Sequence, residues 1–201
     1  MSQDPIENFC VGKEKEILLN NLKNFKLRSF VDIGAHLGFW SLYMSNIFET
    51  VYSFEPNIET YEFLKRNTEN NKNILLHNIA LGDEEILVDI SYFGDNSGQS
   101  KVVKNGSSVE CKTLDSLNLS NIDLIKLDCE GFEFFALKGS EKTIKKYKPI
   151  IVLETNGLEK ILFDLVNDEV HELLTSFGYV RIFHPDDDLG VTSNSIYIFN
   201  T

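Results

Sequence analysis

The stretch VDIGAHLG, from Val31, runs straight into FWSLYMSNIF, and no other part of the chain narrows the choice of fold so far. The apolar run before the glycines has the length of a buried strand, and the residues after them recur at helical spacing. Gly34 adopts backbone angles closed to other residues and leaves the main chain open to close approach. Gly38 lets the following helix pack tightly on the sheet. A strand that turns through glycine into a helix is the first half of a βαβ unit. In open sheets built from such units, ligands lie beyond the carboxyl ends of the strands, where the strand order reverses. Folding alone does not demand Asp32 just ahead of this turn; a small ligand held there does.

The alternation continues along the chain. Lys13 to Phe25 reads as an amphipathic helix, Phe30 to Ile33 as a first strand, and Leu37 to Ile47 as a helix. Val51 to Phe54 is a second strand, Ile58 to Asn70 a helix capped by Asn57, and Ile74 to Ile79 a third strand. Ile122 to Leu127 and Ile150 to Leu153 are further buried strands, with helices after Gly131, after Ser140 as a cap, and through Leu158, Ile161, Leu162 and Leu165 toward Phe177. Asp115 is placed to cap the short turn before Ile122. Tyr179 to Phe183 and Ser195 to Phe199 suit an antiparallel pair. Together these imply a mainly parallel sheet with helices on both faces. One region departs from the pattern. Ile86, Val88 and Ile90 alternate with Leu87, Asp89 and Ser91 as in a more exposed strand, Val109 to Cys111 offers a partner, and residues 94–108 between them read as a mobile loop.

A chain of 201 residues suffices for one domain with a sizeable core, here 1–201 with residues 1–29 as a helical lead-in. The net charge of −12 argues against a protein that lives on a phosphate backbone. Lys142, Lys145, Lys146 and Lys148 cluster where a helix ends, which suits its dipole. Cys10, Cys111 and Cys129 lack metal-type spacing, no signal-peptide core or bilayer-length run is present, and the reading is a cytoplasmic chain with reduced thiols and no metal.

About twenty residues beyond the glycine turn the second strand ends in Glu55-Pro56, and an acid there accepts both hydroxyls of a ribose. Strand, glycine turn, helix and terminal acid together make a nucleoside site. A dinucleotide wants a third glycine, where this chain has Ala35 and His36, and Asp32 is a poor neighbour for a pyrophosphate. It is a good neighbour for the ammonium of an amino acid. S-adenosylmethionine fits the two acids better than NAD, which stays open as the alternative.

The motifs VDIGAHLGFWSLY, FEPN, NIALGD, TLDSL, IKLDCEGFEFFALKG and ETNG, in this order from Val31 to about Glu154, resemble the FkbM-type methyltransferases. That resemblance implies a class I Rossmann-like methyltransferase fold, its seven-stranded sheet in the order 3-2-1-4-5-7-6. It also implies S-adenosylmethionine as methyl donor and an oxygen of a sugar, glycan or small natural product as acceptor. By the same resemblance, Asp32, Gly34, Ala35, His36 and Gly38 line the methionine and ribose side, Glu55 and Pro56 take the ribose, and Asn78 and Ala80 flank the adenine. Asp128 and Glu130 face the reacting centre, where either of them or His36 takes the acceptor proton. The segment between Ile90 and Val109 has no counterpart in this pattern; the loop from Gly94 to Ser108 within it shapes or covers the acceptor pocket.

Lys126, Asp128 and Glu130 alternate at the end of a strand and so point to one side. A lysine in a buried strand needs a carboxylate, either Asp128 or Glu133. Glu154, ending the fifth strand, is placed to reach the acceptor. Trp40, Phe132 and Phe134 read as core, and Asp186 to Asp188 as a solvated turn rather than a calcium loop. Two readings from other classes stand beside the methyltransferase: an NAD(P)-binding oxidoreductase and a non-catalytic nucleoside-binding domain.

Overall fold

The computed structural model of the protein describes residues 12–92, 100–104, 106–154, 167–188 and 194–200. Its frame is a seven-stranded sheet. Strands β1 (Ser29–Ile33), β2 (Thr50–Phe54), β3 (Ile74–His77), β8 (Ile122–Leu127) and β9 (Ile150–Glu154) run parallel, in the spatial order β3-β2-β1-β8-β9. Beyond β9 lie β11 (Asn194–Phe199) and β10 (Tyr179–Phe183), with β11 antiparallel to both its neighbours. Counted along the seven-stranded sheet alone, this is the 3-2-1-4-5-7-6 order expected above.

The central strands are largely apolar and show neither face to solvent. Every residue of β1 and of β8 is buried, as parallel strands covered on both faces require. Alternate side chains serve opposite layers. Val31, Ile125 and Leu153 pack with Leu137, Ile144 and Leu174 from α4 (Glu133–Lys138), α5 (Glu141–Tyr147) and α6 (Asn167–Ser176). Phe30, Leu124 and Val152 pack on the other face with Leu18 from α1 (Gly12–Leu22) and Trp40 and Met44 from α2 (Phe39–Ser45). Helix α3 (Ile58–Thr68) starts at Asn57, whose side chain accepts from the backbone N–H groups of Glu59 and Thr60. Ser140 does not cap α5; it donates to the Ala136 carbonyl at 2.6 Å. Asp115 takes that role from across a loop, accepting from the N–H groups of Lys142 and Thr143, rather than capping the turn before β8.

A second sheet is inserted between β3 and β8. It comprises β4 (Ala80–Leu81), β5 (Ile86–Tyr92), β6 (Ser100–Lys104) and β7 (Val109–Lys112), in the order β4-β7-β5-β6. Strand β6 falls within the segment read as a loop. It pairs antiparallel with β5 from Val88↔Lys104 to Tyr92↔Ser100, burying Val102 and leaving Val103 exposed. SKVVK is short and lysine-rich, a composition suited to an edge, and among the described residues β6 is the last strand of this sheet. Residues 94–99 and 105 of that segment, residue 93 before it, residues 1–11 of the lead-in, and the apolar positions from Leu158 to Leu165 lie outside the described residues.

Candidate active site at the carboxyl edge of the parallel sheet

Strand order reverses between β1 and β8, and both ends of the chain at that point are held by backbone. Gly34 follows β1 with φ of 78°, and a methyl group built on it would stand 1.8 Å from the Asp128 carbonyl oxygen. The Asp128 N–H donates to the Ile33 carbonyl at 3.0 Å. On the other side, the N–H groups of Gly34 and Ala35 both donate to the Phe54 carbonyl. Gly38, φ 87°, opens α2 and is pressed on α3, where an added methyl would meet Leu64 at 2.6 Å. Its place is set by helix packing, away from the cavity wall.

Glu55 sits at the end of β2 and is 6% exposed. One carboxylate oxygen accepts from the His36 N–H and the other from the Asn57 N–H, each at 2.9 Å. Burial outweighs these bonds and pushes the group up to about 7. Asn78 does not line the cavity; its side-chain amide donates to the Glu55 and Pro56 carbonyls at 2.8 and 3.0 Å and so braces the loop that carries the acid.

Asp32 also departs from its expected place. It is fully buried beneath the turn, where its carboxylate accepts from the Ser41 hydroxyl at 2.6 Å and lies 3.6 Å from the Lys126 ammonium. Strand register dictates this, because Asp32 faces Lys126 one residue before β1 ends. Burial raises its proton affinity, against the pull of Lys126. Lys126, 3% exposed, bonds Asp128 at 3.0 Å and donates to the Gly34 carbonyl at 3.1 Å. Glu133, its other candidate partner, accepts from the Cys129 N–H at 2.6 Å instead.

Past β8 the chain turns through Glu130 (φ 54°) and Gly131 (φ 96°) into α4. Burial disfavours the charged form of Asp128, yet Lys126 and a hydrogen bond with Glu154 hold it below its ordinary value. Glu130 is pushed up to about 7, first by burial and then by the Asp128 charge. Carboxylate oxygens of Asp128, Glu130 and Glu154 lie within 4.8 Å of one another, close enough to share a proton or hold a cation. His36 also takes a positive φ, 49°, and burial lowers its proton affinity, leaving a neutral imidazole near pH 7.

These groups surround one cavity with an empty volume of about 880 Å³, its open mouth included. Gly34, Ala35, His36, Glu55, Pro56, Ala80, Asp128 and Glu130 are all on its wall. Ile90 and Val102 are there too: the segment expected to cover the pocket as a loop reaches it instead as a sheet, whose strands supply an apolar wall. The alternation of Ile86, Val88 and Ile90 signalled a one-faced strand, but not what that face covers. Phe132 and Trp40, read as core, are buried and line the cavity as well.

The model of the Methyltransferase FkbM domain matches residues 32–181. The chain belongs to the FkbM methyltransferase family. A curated relative, Methyltransferase 1 of Beauveria bassiana, is 24% identical over 74% of this chain and 65% of its own length. The FkbM methyltransferase of Methylobacillus flagellatus shares the fold at a TM-score of 0.57 and 20% identity, covering 86% of this chain and 43% of that one. This family member thus spans just under two thirds of the first relative and less than half of the second. A Streptococcus mutans chain solved in complex with SAH aligns over 93% of this chain and 97% of its own, at a TM-score of 0.57 and 11% identity. Among the described residues no helix is long and apolar enough to cross a membrane.

Proposed function

We propose that the cavity binds S-adenosylmethionine and that the protein transfers its methyl group to a hydroxyl of a sugar, glycan or small natural product. The observation that carries this reading is the convergence of Glu55, the glycine turn and the Asp128–Glu130 pair on one cavity at the reversal of strand order. The donor set fits the ligand: a buried carboxylate for a diol, an apolar wall for a base, and acids for a cation.

Glu55, fixed by two backbone N–H groups, keeps its remaining lone pairs for the ribose hydroxyls. The turn from Gly34 to His36 lies along the methionine and ribose, and Pro56, Ala80 and Ile79 flank the adenine. The donor supplies a methyl carbon on a sulfonium, to which the acceptor oxygen attaches as the thioether leaves. Asp128 and Glu130 receive the acceptor, orient its hydroxyl and take its proton; Glu130, held near neutrality, is matched to that task. His36, neutral near pH 7, is the other base on the wall. Alignment of two bound reactants contributes roughly 7–11 kcal/mol and a general base about 10²–10⁴-fold, so positioning dominates. The carboxylates at Asp128, Glu130 and Glu154 favour an acceptor with several hydroxyls, and the net charge of −12 disfavours a nucleic acid.

Calorimetric titration of the purified protein with S-adenosylmethionine and with NAD tests the reading. Uptake of the sulfonium nucleoside and no uptake of the dinucleotide is the expected result. Uptake of NAD alone overturns it in favour of the oxidoreductase. Binding of the nucleoside without methyl transfer to any of a panel of hydroxylated acceptors supports the non-catalytic alternative.

A further inference from the structure

Glu55 is anchored at every polar group it carries. Its N–H donates to the His77 carbonyl at 3.1 Å, its carboxylate oxygens accept from the His36 and Asn57 N–H groups, and its own carbonyl accepts from the Asn78 side chain. That last bond is one of two. An asparagine amide carries two N–H donors, and Asn78 reaches two successive carbonyls with its own, Glu55 at 2.8 Å and Pro56 at 3.0 Å. Along an extended strand successive carbonyls point to opposite sides, so two that meet one amide mark the bend by which the chain leaves β2 for α3. Proline has no N–H to close such a bend from within, and Asn78 closes it from outside. The bend sets where Glu55 lies, with its carboxylate 2.9 Å from the His36 nitrogen. Asn78 also leads directly into Ile79 and Ala80, which stand with Glu55 on the cavity wall. One half-buried side chain outside the cavity thus ties the acid to the wall proposed to flank the base.

We propose that Asn78 is the positioning residue for ribose recognition: it holds Glu55 at a fixed distance from the base wall, so that the carboxylate meets both hydroxyls of a nucleoside whose base is seated there. The inference rests on the reading of the cavity as a site for S-adenosylmethionine. Hydrogen bonds to a charged acceptor are roughly twice as strong as neutral ones, and they weaken steeply as they bend. A carboxylate set in place beforehand therefore gains both bonds at full strength. With Glu55 only 6% exposed, a hydroxyl out of line with it leaves a buried acceptor short of a donor. Asn78 touches no ligand in this scheme; it acts on the nucleoside through Glu55.

The test compares dissociation constants at pH 8 for adenosine and for 2′,3′-dideoxyadenosine, which lacks both ribose hydroxyls, with S-adenosylmethionine as a third probe. The wild type is expected to favour adenosine over the dideoxynucleoside by about tenfold or more. Asn78→Asp keeps the shape of the side chain and loses both donors; it should bring that preference below about threefold and leave affinity for the dideoxynucleoside within about twofold. Asn78→Ser, checked for folding by circular dichroism, removes the amide without adding a charge and is the second variant, with the same expected result. In a Glu55→Gln background either substitution should weaken adenosine by less than about a further twofold, because its effect passes through that acid. Equal weakening of both nucleosides, or an unchanged preference in a folded variant, overturns the positioning role and leaves the methyltransferase reading intact. A full second loss in the Glu55→Gln background does the same. Wild-type protein that binds S-adenosylmethionine yet does not prefer adenosine overturns the assignment of the ribose to Glu55, and the role of Asn78 with it. Failure of all three probes to bind removes the reading of the cavity itself, and this inference falls with it.

Discussion

Lys126 is the residue on which most of the buried charge depends. It faces Asp32 across the β1–β8 register, reaches Asp128 beyond the strand end, and bonds the glycine turn. Removing one partner of a buried ion pair costs about 3–5 kcal/mol, because the other charge stays behind. Lys126→Met is therefore expected to lower the unfolding free energy by that order in urea denaturation, with part recovered when Asp32→Asn is added. Glu55 yields a prediction of opposite character. Its group is raised to about 7 in the folded protein, so between its ordinary value near 4.5 and pH 7 the native state holds a proton that the unfolded chain has released. That stabilisation is full below about pH 4.5 and is lost as pH climbs through 7. Binding runs the other way, since ribose hydroxyls need the carboxylate as acceptor. Affinity for S-adenosylmethionine should rise through pH 7 in the wild type and be weaker and flatter in Glu55→Gln, read by calorimetry at pH 6, 7 and 8. The acids themselves were legible in the sequence; which of them reaches the cavity was not. Asp32 and Asp128 both stand near strand ends, and only the pairing register shows that one is capped beneath the turn by Ser41 while the other stands free of the strand.

Among elements, the short, largely apolar runs made the parallel strands readable, and the glycine turn marked the edge where a ligand is expected. The inserted sheet was half readable. Strand β5 shows alternation, but β6 is a five-residue edge strand flanked by glycine, serine and asparagine, and its pairing depends on partners that no local pattern announces. The insert is also tied to the helical layer at an unexpected place. Gly139, between α4 and α5, has ordinary helical angles, yet an added methyl would stand 1.8 Å from the Gly82 carbonyl oxygen at the end of β4. Gly139→Ala must therefore push the helices off the insert, an overpacking cost of roughly 1–3 kcal/mol. A fall in Tm with unchanged affinity for S-adenosylmethionine at 10 °C is the expected outcome, measured by thermal melts and calorimetry.

For the molecule as a whole, the net charge of −12 and the acid-lined cavity act in the same direction on a cationic ligand. Screening shortens the reach of such a field from about 10 Å at 0.1 M salt to about 4 Å at 0.5 M. Affinity for S-adenosylmethionine should therefore weaken several-fold between 0.02 and 0.5 M sodium chloride, roughly in step with that screening, while affinity for the neutral thioether stays nearly constant. Titrations at four salt concentrations would show it.

The contact between Gly34 and the main chain at Asp128 has a mechanical corollary. Two segments that touch atom to atom behave as one solid piece, so the halves of the pocket cannot breathe apart. A single methyl group at position 34 would act as a wedge in that joint, prising the ribose side away from the acids opposite. The displacement proposed for this cavity tolerates little misalignment, so Gly34→Ala is expected to cost both stability and turnover.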